Sequence, residues 1–376
     1  MRKFILWFAI IIFISFICGR FFYDTKDIVE DEAIYIAQTS NENNIIEKKL
    51  NSMSLDEKIG QMIIIGVHGS EMNDDIKNML TQYNIGGIIF YNRNMENKIQ
   101  VKNFIEDLQN NANEKNPLFI AVDQEGGRVS RMQNDLTVYP SQTEICAGGN
   151  PVDAKNYAKA IAQDLKELGF NINFAPVADV GSNNSRFFSD DPYIAAEFVS
   201  NAAKGYEDTK LFYCLKHFPG IGRGKVDSHK DVSIIDGDIN FLINHDLPPF
   251  VKVINEQDNS KFMIMVSHLK YEALDTANSA SLSSVVMTDL LRNKLGFKGV
   301  IITDDLEMGA TSNYNDFDNV GVQAVEAGAD IVLVCHEYDH EIKVYLSILN
   351  AVNKGTISEE RINESVRRIL KMKTQL

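Results

Sequence analysis

Residues 216–229 read KHFPGIGRGKVDSH, setting Lys216, His217, Asp227 and His229 around three glycines directly behind an apolar run. Imidazoles beside carboxylates are the side chains that most readily move protons near neutrality, because the unperturbed pKa of histidine lies close to that range. Three further apolar runs also end in polar residues. One ends in Asp123 and continues QEGGRVSR to Arg131, one in Ser267 and His268, and one in Thr303, Asp304 and Asp305. A single charged residue at a strand end is ordinarily a solvated edge. Four coincident cases instead mark a shared site, provided that the fold brings strand ends together.

Eight short apolar runs could be such strands: 62–67, 86–91, 118–123, 172–180, 211–218, 262–269, 299–305 and 330–335. Stretches of helical periodicity lie between them, and this alternation predicts an α/β fold with a parallel sheet. Eight strands predict a (β/α)8 TIM-type barrel, in which chemistry collects at the carboxyl ends of the strands. Helices are expected over 153–168 with Gly169 as the stop, from Ser283 or Ser284 to about 295 with Gly296 behind it, and from Ser358 onward with Ile362, Val366, Ile369 and Leu370 as the apolar face. The domain spans 49–376, with no second domain expected after it.

The wording of the motifs is specific. AVDQEGGRVSR, NINFAPVADV (171–180), KHFPGIGRGKVDSH and GVIITDDLEM (299–308), in that order, resemble the glycoside hydrolase family 3 β-N-acetylglucosaminidases of the cell-wall recycling branch, over roughly residues 50–376. That resemblance implies Asp304 as nucleophile of a retaining hydrolysis and His229 as acid/base, with Asp227 orienting it on a mobile loop that Gly220, Gly222 and Gly224 let swing. It assigns sugar binding to Asp123, Arg131, Arg186, Lys216 and His217. It also implies terminal GlcNAc on peptidoglycan fragments as the substrate and no cofactor or metal. Periodicity alone does not choose between Asp304 and Asp305. Successive strand residues point to opposite sides, so only one is expected to face a sugar. Two departures from the family wording stand out: SRFFSDDP around Arg186, and Ile221 where the family commonly has histidine.

Competing readings are a family 3 β-glucosidase, whose acid/base generally comes from a second domain that this chain is too short to hold, a GlcNAc phosphorylase, and a noncatalytic wall-binding relative. HEYDH at 336–340 fits the HExxH zinc pattern, but the apolar run reaching Cys335 leaves His336 at a strand end, with no helix expected to align the two histidines. GIGRGK has Val226 where a phosphate-binding loop needs Ser or Thr.

Composition narrows the partners. The chain has 37 basic against 52 acidic residues, a net charge of −15, which argues against nucleic acid as a partner. Cys18, Cys146, Cys214 and Cys335 are too scattered for a disulfide framework. Residues 1–23, with Arg2 and Lys3 before an apolar run and Arg20 and three aromatics after it, read as an export signal or an uncleaved membrane anchor. Residues 24–48 are polar and acidic and read as a spacer, so the protein is expected to be exported and held at the membrane.

Overall fold

The computed structural model describes residues 41–376 except 114–115, 133–134, 182–183, 225–232 and 314. The chain divides into two compact units, 1–52 and 53–376. In the first, the described residues 41–52 are helical, so the segment expected as a polar spacer ends in a helix. The signal or anchor expected over 1–23 lies outside the described residues. Among the described residues no helix is long and apolar enough to cross a membrane.

The second unit is a closed barrel of eight parallel strands: β1 (Ile63–Gly66), β2 (Gly87–Phe90), β3 (Phe119–Val122), β4 (Ile172–Asn173), β5 (Phe212–Phe218), β6 (Phe262–Val266), β7 (Val300–Asp305) and β8 (Ile331–Val334). Each strand pairs with its neighbours in sequence, and β8 closes on β1 through Ile63–Val332, Ile64–Leu333 and Ile65–Val334. All eight expected runs supply a strand. The runs are continuously apolar because these strands are covered on both faces: β1, β2, β3 and β8 are buried at every residue.

The fourth run is shorter as a strand than expected, two residues rather than the whole of 172–180. Pro176 has no amide hydrogen to give to the ladder. Beyond it the segment stays against β5 through the amide of Ala178, which donates to the Lys216 carbonyl at 2.7 Å. Asp179 is thereby carried past the strand end towards the mouth of the barrel.

The outer helices follow the sequence signals. Pro151–Leu168 is capped by Asn150 and stops at Gly169, and Glu359–Lys373 is capped by Ser358 and buries the four expected apolar residues. The helix expected after Ser284 is present as Val285–Lys294 but is π-wound, with Leu295 N–H reaching back to the Leu290 carbonyl. A small parallel ribbon, Ile234–Ile235 with Lys270–Tyr271, lies outside the barrel.

Candidate active site

The polar strand ends converge on one cavity of about 480 Å³, lined by Asp123, Arg131, Arg186, Lys216, His217 and Asp304, among others. Asp227 and His229 lie outside the described residues. Six of the eight residues singled out from sequence thus meet at the carboxyl end of the barrel, where the fold class places chemistry.

β3 delivers Asp123 and then a tight turn. Gln124 braces this turn: its amide N–H donates to Asn173 Oδ1 (2.9 Å), its side-chain amide donates to Ser130 Oγ (2.9 Å), and its Oε1 accepts the Arg131 N–H (2.7 Å). Gly126, at φ +92°, lies so close to the Pro140 carbonyl that a Cβ would sit 2.4 Å from its oxygen, so only glycine fits there. The turn drives Glu125 inward, where it is buried between two cations. Its Oε1 is 2.7 Å from Lys216 Nζ, and Arg186 grips both oxygens at 2.7 and 2.8 Å. Burial opposes the charge on Glu125, but Lys216 and Arg186 outweigh it and hold the carboxyl at about 2. Lys216 and Arg186 are pushed above their ordinary values: burial works against both, and the surrounding carboxylates prevail.

β5 delivers Lys216, which also donates to Asp123 Oδ1 at 2.6 Å, and His217. Asp179 fixes His217 by accepting from its backbone N–H (3.1 Å) and lying 2.8 Å from Nδ1; a carboxylate can only accept, so Nδ1 carries the proton there. The same carboxylate accepts the Ile221 N–H at 2.9 Å, tying down the start of the glycine-rich stretch. Gly222 has a packing reason independent of any swing: a Cβ would meet the Val180 carbonyl oxygen at 1.7 Å. Ile221, the departure from the family wording, lines the cavity.

β7 delivers Asp304 and Asp305, and both border the cavity, so the expectation that only one would face it does not hold. The ladder between β7 and β8 shifts register at this point, breaking strict alternation. The two carboxylates nevertheless differ. Asp305 lies 3.2 Å from His336 Nε2 and accepts the Glu307 N–H at 3.1 Å, and His268 holds its carbonyl at 2.7 Å. Asp304 accepts the Asp305 N–H at 2.9 Å, and among the described residues it has no ion pair and no other hydrogen bond to its carboxylate. Burial would raise its pKa, but His217, His268, the Asp305 amide and Lys216 more than compensate and keep it below the ordinary carboxylate value.

A chain of this fold with this site matches a known family. The model of the glycosyl hydrolase family 3 N-terminal domain matches residues 54–372. The chain belongs to glycosyl hydrolase family 3. It is 33% identical to Beta-hexosaminidase A of Pseudoalteromonas piscicida, covering 80% of this chain but 55% of that one, and 31% identical to Beta-hexosaminidase of Nitrosomonas eutropha, covering 81% and 90%. The solved structure of a glycoside hydrolase family 3 beta-N-acetylglucosaminidase from Paenibacillus superposes with a TM-score of 0.84 at 36% identity, covering 86% of this chain and 63% of that one. The chain therefore spans little more than half the length of some relatives and nearly all of others.

Within this family 3 site, sequence reasoning quoted Glu125 and Asp179 inside its motifs but gave them no role. A signal existed for Asp179, the only charged residue in NINFAPVADV. In the HEYDH stretch a helix begins only at Tyr338 and runs to Asn353, so His336 precedes it at the end of β8 and His340 occupies its first turn; as expected, no helix aligns the two histidines. His336 turns to Asp305, while His340 Nδ1 lies 2.7 Å from Glu307. Among the described residues no group of three potential metal ligands converges.

Proposed function

We propose that this family 3 chain is a retaining exo-β-N-acetylglucosaminidase that removes terminal GlcNAc from peptidoglycan fragments, exported and held at the membrane by residues 1–23. The observation that carries the hydrolytic reading is the state of Asp304: an ionised carboxylate at the barrel mouth, unpaired among the described residues and facing donors and acceptors suited to sugar hydroxyls. Asp123 and Glu125 are acceptors and Lys216, Arg186 and Arg131 are donors only, so the cavity that Asp304 lines can read both directions of a hydroxyl.

In the proposed reaction the Asp304 carboxylate attacks the anomeric carbon while His229 gives its proton to the departing oxygen, leaving a glycosyl ester on Asp304. His229 then takes a proton from water, whose oxygen displaces Asp304 and restores the original anomer. Asp227 orients the imidazole and stabilises its cation during the first step. The names of the relatives support the amino-sugar specificity, and the length and charge pattern of residues 1–23 support export. The test is turnover of an aryl β-GlcNAc beside the aryl β-glucoside, with the first-formed anomer followed by NMR. Preference for the glucoside, or release of the α-anomer, would overturn the reading.

A further inference from the structure

Asp227 and His229 lie in sequence between two described stretches, 220–224 and 233–237, and both stretches are tied to one frame. Tyr271, buried, donates its hydroxyl to the Gly220 carbonyl at 2.8 Å, and its backbone pairs with Ile235 in the small ribbon. Next to it the Lys270 N–H donates to the Ser233 carbonyl at 3.0 Å.

Arg223 adds a tie of another kind, because its side chain crosses from the first stretch to the second. Nε and Nη2 both donate to Oδ2 of the buried Asp246, at 3.0 and 2.5 Å, while Nη1 donates to the Asp236 carbonyl. The guanidinium also lies over the Phe241 ring, 4.7 Å from its centre, and that ring stacks on His245 at 4.6 Å. Glycine makes room for the crossing: a Cβ on Gly237, at φ +126°, would come 3.2 Å from Nη1. On the other side Gly222 and Gly224 flank Arg223 in GIGRGK, so the arginine is the one side chain projecting from three successive positions.

Neither the fold nor the charge of Asp246 explains this arrangement. The ribbon and Tyr271 already hold the two stretches, and Asp246 has a second partner in His245, whose Nδ1 lies 2.8 Å from Oδ1. What a planar fork adds, gripped by a carboxylate and seated on an aromatic face, is direction. It fixes the course of the chain four residues before Asp227 and, through the Asp236 carbonyl, seven residues after His229. A general acid works only within about 3 Å of the oxygen it protonates, so a small shift of these ends costs proton transfer before it costs sugar binding. We propose that Arg223, clamped on Asp246, is a positioning residue for the acid/base step. Its role rests on the reading of His229 given above and adds to it the group through which the barrel presents that imidazole to the glycosidic oxygen.

The probes are two β-GlcNAc glycosides of the full chain's proposed substrate class: phenyl, whose leaving oxygen needs a proton, and 2,4-dinitrophenyl, whose leaving oxygen does not. In Arg223→Ala, kcat/KM for the phenyl glycoside should fall about tenfold while that for the dinitrophenyl glycoside stays within about twofold. Arg223→Lys keeps the charge beside Asp246 but lacks the fork, and the same selective loss is expected where circular dichroism shows the parent fold. In a His229→Ala background, adding Arg223→Ala should change the phenyl rate less than twofold, since the group it positions is gone. Equal losses on both glycosides in either Arg223 variant, no loss in both, or an additive loss on top of His229→Ala overturns the positioning role. If His229→Ala itself shows no preference between the two leaving groups, the reading of His229 falls, and the role of Arg223 with it.

Discussion

Glu125→Gln tests the electrostatic frame of the site directly. The side chain is 2% exposed and sits between Lys216, 3% exposed, and Arg186. Its carboxyl lies at about 2 in the folded chain against an ordinary 4.5, a displacement that converts to about 3 kcal/mol of stability. A depressed acid contributes fully above its unfolded value and loses that contribution as pH falls through its folded value. The difference between parent and variant should therefore be about 3 kcal/mol at pH 7, fall to roughly half that near pH 3, and be nearly gone towards pH 2. Glutamine keeps the shape but leaves two buried cations sharing less negative charge, a change typically worth several kcal/mol. Equilibrium urea unfolding across this pH range measures it. Because Lys216 and Arg186 are also expected sugar contacts, KM for the aryl β-GlcNAc should rise in the same variant. A loss below about 1 kcal/mol at pH 7, or a loss independent of pH, would refute the account of Glu125 as the clamp between them.

Asp304→Asn should reduce turnover at least about 1,000-fold and lower thermal stability modestly, since the surrounding positive groups favour the ionised carboxylate in the folded chain more than burial opposes it; a variant that turns over normally removes Asp304 from the mechanism. Asp179→Asn places an amide where His217 Nδ1 now meets a carboxylate at 2.8 Å, so kcat/KM should drop at least about tenfold with little loss of fold, measurable by steady-state kinetics beside circular dichroism. Glu341 offers the opposite sign to Glu125. Both its carboxylate oxygens are buried without partners among the described residues, and burial, with Glu307 nearby, pushes it up to about 9. A raised acid takes up a proton on folding, so stability falls as pH rises from 4.5 towards 9; Glu341→Gln should stabilise by about 3 kcal/mol at pH 7 and by nothing at pH 4, again read by urea unfolding.

The strands were legible because each is a parallel strand covered on both sides and so leaves an unbroken apolar run. The exception is β4, where the apolar run outlasts the strand: beyond Asn173 the segment keeps single bonds to β5, from Cys214 N–H to the Ala175 carbonyl (3.1 Å) and from Ala178 N–H to the Lys216 carbonyl (2.7 Å), but Pro176 interrupts the ladder between them and hydrophobicity does not mark that interruption. The helix stops at Gly169 and starts at Ser358 were legible because caps are local chemistry, decided within three or four residues. The π winding of Val285–Lys294 left no such local mark.

The electrostatic frame of the site could not be read in the same way, since each bond in it joins strand ends far apart in sequence. Glu125 acquires its meaning from Lys216 and Arg186, and Asp179 from His217; nothing within ten residues of either acid announces its partner. That frame also distinguishes two adjacent aspartates that periodicity left equivalent. Both reach the cavity, but the cations nearest the mouth are already committed: Lys216 to Asp123 and Glu125, Arg186 to Glu125, His336 to Asp305. Asp304 feels Lys216, His217 and His268 at longer range without being paired to any of them. A carboxylate so placed stays ionised through the surrounding charges while its oxygen is not spent in a salt bridge, the condition a nucleophile needs. The clamp at Glu125 is thus part of what leaves Asp304 available. Loosening it by Glu125→Gln would free Lys216 and Arg186 to turn towards Asp304, lowering kcat as well as affinity.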